Sequence, residues 1–412
     1  MTELLCRQLK TTTDVCAPTG AEALLDELPA SALDARFTAF AEMLFGHLRR
    51  ADQRRWAHIY LRGLLMTPGK KSIPRLAASI SSSATAHQSL HQFVNASPWD
   101  WSPARRELTR LAERFVRPKA WTLATAVQPK RGDRTCGVHR RFVPAMGRTV
   151  NCQVGVGMFL ASESEHIPVD WHLLLPDQWD GDPELRERAR IPEAARNQPL
   201  WSHALSLSRT LAAHTGLPPV PFLADMDGYP GAAPLIDGLS RSRQDFVIAV
   251  SGDLPMLPAV PSPVNTAREV GRPIGARRFL DLHSARRGHA VVAGAGGGRR
   301  PVRVLSSLVN LEPGRGARAG THRPYRLFTV LRPDGAPGPV WITSLVDRSM
   351  DELFSLTRLL SGTTTAMTDM ENYGVLDFEG RSFPGWHHHM TLVSAAYAYS
   401  RLIDPVAVPQ VA

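Results

Sequence analysis

Carboxylates at the ends of strand-like runs are the residues whose types and spacing point to chemistry. Asp225 closes the apolar run Val220–Asp225, and Asp227 follows two residues on. Glu379 stands before the apolar C-terminal segment. Two or three such acids can hold a pair of Mg2+ or Mn2+ ions ~4 Å apart, clamping the attacking and leaving oxygens of a phosphodiester. Asp225 and Glu379 are therefore the expected catalytic and metal-holding residues, with Mg2+ or Mn2+ as cofactor. A further acid belongs in the middle of the sheet, where the run is Trp121-Thr-Leu-Ala-Thr-Ala-Val127, which has no carboxylate.

A basic stretch follows that run. Lys130–Arg148 holds Lys130, Arg131, Arg134, His139, Arg140, Arg141 and Arg148 against the single acid Asp133. A basic connection between two core strands is a natural seat for a phosphate backbone. Other motifs fail. Thr67-Pro-Gly-Lys-Lys-Ser72 has Leu64 where a P-loop needs its first glycine and Lys71 where it needs Ser or Thr. Gly294–Arg299 breaks the dinucleotide-binding spacing and reads as a flexible loop. His387, His388 and His389 are adjacent, a pattern expected for satisfied or solvent-facing rings rather than a metal site.

The 412 residues allow two or three domains, and 43% hydrophobic content supports a substantial core. The net charge of +10 favours an anionic partner, nucleic acid or acidic lipid. Cys6, Cys16, Cys136 and Cys152 form no CxxC pair, which argues against a zinc ribbon or redox motif. No signal peptide and no run of ~20 apolar residues is visible, so a cytoplasmic, non-membrane protein is expected.

These residues need elements to position them. Residues 1–34 are expected to be poorly ordered. Phe37, Phe40, Ala41, Leu44, Phe45 and Leu48 fall at helical spacing, and further helices are expected from Asp52, near Pro74–Ile80 and Ala84–Asn95, and from Ser102-Pro103 to about Val116. Residues 35–117 thus read as a helical N-terminal domain suited to DNA binding. Trp121–Val127, Thr149–Leu160, Ile167–Leu175, Val220–Asp225 and Asp245–Val250 read as strands. With helices between the later ones, they imply an α/β mixed sheet. That core spans 118–252 and 341–405. Residues 253–340, with the Pro-rich Pro255–Pro263, read as a β-containing, partly mobile insertion.

The chain resembles the DDE transposases of the IS701 group, within the wider IS4-like set. The matching segments include Gln88-Ser-Leu-His-Gln-Phe-Val-Asn-Ala-Ser-Pro-Trp-Asp100, Pro129-Lys-Arg-Gly132, Gly137-Val-His-Arg-Arg141 and Asn151-Cys-Gln-Val-Gly-Val-Gly157. Pro168-Val-Asp-Trp171, Leu173-Leu-Leu-Pro176, Asp377-Phe-Glu-Gly-Arg-Ser382 and Gly385-Trp-His387 complete the match. The resemblance implies an RNase H-like core, divalent metal, and DNA cleavage with strand transfer. A homodimer is one expected assembly. It implies DNA contacts by Lys130, Arg131, Arg134, His139, Arg140, Arg141, Arg381 and Trp386. It puts the second acid at Asp225 and the first at Ala124 or Thr125, where there is none. For the third, Asp369, Glu371 and Glu379 are candidates, and Asp133 and Asp170 are candidate substitutes for the first. Three functions remain open: a transposase-like protein with impaired cleavage, a domesticated DNA-binding regulator, or an enzyme using the cleft for a small molecule.

Overall fold

The computed structural model describes residues 30–80, 85–143, 146–259, 272–283, 286–293, 299–312, 324–332 and 335–404. Most of the segment 1–34, and all of Gly294–Gly298, lie outside the described residues.

Five helices open the described chain: α1 (Ala30–Phe45), α2 (Ala51–Met66), α3 (Ile73–Ile80), α4 (Ala86–Asn95) and α5 (Ser102–Val116). The helical spacing of Phe37, Phe40, Ala41, Leu44 and Phe45 gives α1 one apolar face, and all five are buried. Pro103 sits in the first turn of α5, where its missing N–H costs nothing.

Four strands follow: β1 (Ala120–Pro129), β2 (His139–Val143), β3 (Arg148–Ala161) and β4 (His166–Leu173). Next come α6 (Asp177–Asp180), α7 (Pro183–Ala189), α8 (Leu200–His214), β5 (Phe222–Asp225), α9 (Ala232–Arg241) and β6 (Phe246–Val250). β3 is antiparallel to both β1 and β4, whereas β1, β5 and β6 run parallel. The order β4-β3-β1-β5-β6 is an RNase H-like mixed sheet. β2 pairs with the first part of β3 and β4 with the second, so both lie along one edge of that long strand.

Residues 253–340 were expected as an insertion, and their described part extends the same sheet. β7 (Pro255–Pro258), β8 (Ile274–Gly275), α10 (Ala276–His283), β9 (Arg286–Ala293), β10 (Arg299–Leu311), β11 (Tyr325–Leu331) and β12 (Pro337–Thr343) follow in turn. β12 pairs antiparallel with β6, which carries the sheet onward through β11 and β10 to twelve strands. Part of the Pro-rich piece is thus a strand. It pairs with β10 over only three residues, and a short pairing tolerates prolines.

Two helices close the chain, α11 (Met350–Asp369) and, after a 3-10 turn (Met370–Tyr373), α12 (Phe383–Leu402). Ser349 and Glu352 form a reciprocal capping box that fixes the start of α11. α12 is buried along almost its whole length, as expected for a helix apolar on all sides. One continuous hydrophobic core runs from Phe37 in α1 through β1, β3 and β5 to Tyr399 in α12, so α1–α5 share the core of the sheet.

Candidate acidic site and nucleic-acid interface

Asp225 is the last residue of β5. Its Oδ1 accepts a hydrogen bond from the Asp227 backbone N–H at 2.9 Å, which tightens the turn beyond the strand. The carboxyl remains solvent-exposed, yet surrounding protein raises its pKa through desolvation, with the nearby Asp227 charge adding to the rise. On one flank Asp225 pairs with Ala249 of β6. On the other flank, Trp121 and Thr122 of β1 pair with Phe222 and Leu223 of β5. Continued two residues, that register sets Ala124 beside Asp225. A carboxylate on β1 would complete the acidic pair there, and the residue is alanine.

The helix α11, which packs across β1, β5 and β6, ends at Asp369, one candidate for the third acid. Its contact with β1 is Thr363, whose hydroxyl lies 2.6 Å from that of Thr122 and 3.0 Å from His166 Nδ1. This buried polar chain fastens helix to sheet. Asp369 lies six positions past Thr363, and its charge acts on Arg401, Tyr373 and Tyr397. Glu371 is exposed in the 3-10 turn.

Glu379 is paired with a lysine. Its Oε1 accepts from Lys70 Nζ at 2.6 Å. The preceding residue, Phe378, offers its carbonyl to Lys130 Nζ. Lys130 follows the end of β1, six residues beyond Ala124, which is about 20 Å at the usual strand rise. Glu379 is thus engaged by Lys70, next to the residue that holds Lys130 past the end of β1. Asp170 is also committed elsewhere, accepting from Arg105 Nη1 and from the Trp171 N–H, both at 2.8 Å. Asp133 lies exposed in the basic turn. Among the described residues, no three His, Cys, Asp or Glu side chains are grouped to hold a metal ion. The donor set of Asp225 and Asp227 beside Ala124 does not fit a two-metal clamp.

The basic residues divide into two groups. Arg131 and Arg134 are exposed on the arm joining β1 to β2, and Arg140 is exposed at the start of β2, between half-buried His139 and Arg141. The Arg141 guanidinium lies 5.3 Å from the Tyr229 ring centroid, which ties the arm to the turn that follows Asp225. Because β1 and β5 are parallel, both lead out at the same end of the sheet. Arg381 joins this group, since its carbonyl accepts from the Cys136 N–H at 3.2 Å and its side chain is exposed.

Lys130 and Trp386 stand apart from that group. Burial pushes Lys130 down to about 8, against the pull of Asp377 and Glu379, and its ammonium is turned toward the Phe378 carbonyl and ring. Trp386 is 1% exposed and fills the space left by Gly155, so it is a core residue rather than a DNA contact. Its large apolar surface outweighs the single indole N–H.

Two structural roles escaped sequence reasoning. Lys71, in the rejected P-loop near-miss, is buried, with its N–H held by Asp377 Oδ2 at 2.7 Å and its Nζ on the Thr67 carbonyl. Gly374, at φ +86°, abuts the Lys71 side chain, where a Cβ would not fit. Arg105 is likewise buried among Asp170, Thr391 and His387. Its only sequence signal was the position of Asp170 in Pro168-Val-Asp-Trp171.

An RNase H-like sheet with an acid at the end of a central parallel strand defines the nuclease class of this fold. Residues 43–303, more than half of the chain, match the family model described as DDE superfamily endonuclease. The chain belongs to that family, whose members act on DNA and generally use divalent metal. No curated protein matches the chain.

Proposed function

We propose that this protein is an IS701-type, transposase-like DNA-binding protein whose strand cleavage and transfer are impaired, and that it acts as a resident regulator. What supports this reading is the register of β1 on β5, whose continuation past Thr122 and Leu223 brings Ala124, not a carboxylate, beside Asp225. The exposed arginines on the β1–β2 arm, close to the turn after Asp225, supply the phosphate-binding surface. A DNA-bound homodimer in the cytoplasm belongs to the same proposal. So does weak binding of Mg2+ or Mn2+ by Asp225 alone, because one carboxylate cannot align both oxygens of a displacement.

The test uses duplex DNA carrying the sequences that flank the gene. Wild-type protein should bind it and leave it uncut in Mg2+ or Mn2+. Ala124→Asp should raise nicking by about tenfold or more, corresponding to at least ~1.4 kcal/mol of transition-state stabilisation. Efficient wild-type cleavage that disappears in Asp225→Ala would refute the impaired reading. Failure to bind any duplex would refute the DNA reading itself.

A further inference from the structure

At the β4 edge of the sheet, three strands from Asp225, a cavity of about 420 Å3 opens between α5, β4, α8 and the first turns of α12. That volume lies within the ~300–1,000 Å3 typical of small-ligand sites. Trp101, Val169, Leu211 and Phe383 supply apolar wall, and His203 and His387 supply polar atoms. Both histidines are deeply buried, with 7% and 4% exposure, and the Nε2 of each is buried without a hydrogen-bond partner.

The tautomers follow from the neighbours. His387 Nδ1 lies 3.2 Å from Arg105 Nη2, and a guanidinium only donates. Nδ1 therefore accepts, and the ring proton sits on Nε2 as an unsatisfied donor. The Nδ1 of His203 lies 3.2 Å from His172 Nδ1, so one of these two nitrogens donates to the other. With the proton of that pair on His203 Nδ1, its Nε2 is a bare acceptor. Leaving a buried donor and a buried acceptor unmet is costly, and a ligand presenting the complementary pair removes the cost.

Charge narrows the ligand class. The charged residues lining the cavity are Arg105, Asp170 and Arg196. Arg105 pairs with Asp170 at 2.8 Å, and Arg196 approaches Asp180 at 3.4 Å. Arg105 also donates to Thr391 Oγ1 and to the Trp171 and His387 carbonyls, so its donors are taken. An anion would find no free cation here, and a cation no free carboxylate.

We propose that this cavity is a binding site for a neutral nitrogen heterocycle, whose ring acceptor takes the His387 Nε2–H and whose N–H donates to His203 Nε2. The site is separate from Asp225 and does not rest on the DNA-binding reading.

The test is a titration of the full chain, 15N-labelled at histidine, with adenine and benzimidazole as donor–acceptor probes. Indole serves as a donor-only control and inorganic phosphate as an anionic one. The Nε2 resonances of His203 and His387 should shift together and saturate with adenine or benzimidazole. His203→Leu should weaken binding by roughly tenfold, the loss of about one hydrogen bond. Thr210→Phe, which places a ring into the cavity from α8, should abolish the shifts with no change in the thermal melt. Ser206→Phe, at an exposed lining position one turn earlier on α8, gives a second blocking variant if Thr210→Phe does not fold. The proposal is overturned by no saturable shift with either heterocycle, by binding that survives a folded blocking variant, or by equal binding of indole or phosphate.

Discussion

Arg105 shows how much of this chain's charge is structural. Its guanidinium donates to Asp170, to the Trp171 and His387 carbonyls and to Thr391, linking α5, β4 and α12. Burial lowers its pKa, and Asp170 opposes that shift. Breaking a buried pair leaves an uncompensated charge, so Arg105→Leu is expected to cost about 3–5 kcal/mol, read as a fall in the urea midpoint. The double variant Arg105→Leu/Asp170→Asn should recover part of that loss, because it removes the stranded carboxylate. If the double variant is as unstable as the single, the pair is not the source of the loss. Lys71 teaches the same lesson about reading single residues. In sequence, Thr67–Ser72 resembles a failed phosphate loop, but in the fold Lys71 closes a contact with Asp377, 306 residues away. No local pattern encodes a partner that distant.

At the scale of elements, α12 was legible as an apolar helix, but the facing of its histidines was not. His387, His388 and His389 are all buried. His389 sits between the Tyr60 hydroxyl at 2.9 Å and the Gly374 carbonyl at 2.8 Å, and His388 lies 2.8 Å from both the Val94 and Trp99 carbonyls. Desolvation lowers His166, His203, His388 and His389 to about 4, and His387 falls well below its usual value. In the unfolded chain these rings protonate near their ordinary pKa of ~6.5. Between that value and about 4 the unfolded state binds more protons, so stability is present above ~6.5 and is lost progressively as pH falls. Urea melts from pH 7.5 to 4.5 should show that slope, and His389→Gln should flatten it. A pH-independent midpoint would contradict neutral, buried rings. β3 carries a related device. Gly155 and Gly157 are one-residue gaps into which Trp386 and Trp171 fit, and a Cβ would stand 2.7 and 2.6 Å from their rings. The sequence showed two glycines in a strand but not the indoles that require them. Gly157→Ala should destabilise by about 1–3 kcal/mol through overpacking. Gly132→Ala is a poor control, because Gly132 holds φ +77° although its surroundings are open.

For the whole molecule, the mixed sheet and its acid were legible because each strand is a short, bounded apolar run. The β character of residues 253–340 was legible too, but its joining to the same sheet was not, because the pairing of β12 with β6 joins residues about ninety positions apart. Charge was legible in amount but not in placement. Of the residues expected to touch DNA, Arg131, Arg134, Arg140 and Arg381 are exposed, His139 and Arg141 are half-buried, Lys130 is turned inward and Trp386 is core. That division makes the DNA proposal quantitative. Each neutralised phosphate contributes a slope of about −0.9 to log K against log salt on duplex DNA. Arg131→Ala/Arg134→Ala/Arg140→Ala should therefore weaken binding on any duplex and reduce the slope by about 2–3. Asp225→Ala should leave the slope unchanged or steepen it slightly, since it removes a negative charge near the same surface. Lys130→Met should act chiefly on stability, through the lost Phe378 contact, and leave the slope unchanged, whereas loss of a phosphate contact would reduce it by about 0.9. Binding titrations of these four proteins at several salt concentrations separate the outcomes. If the triple variant keeps the wild-type slope, the arm between β1 and β2 is not where the phosphates lie.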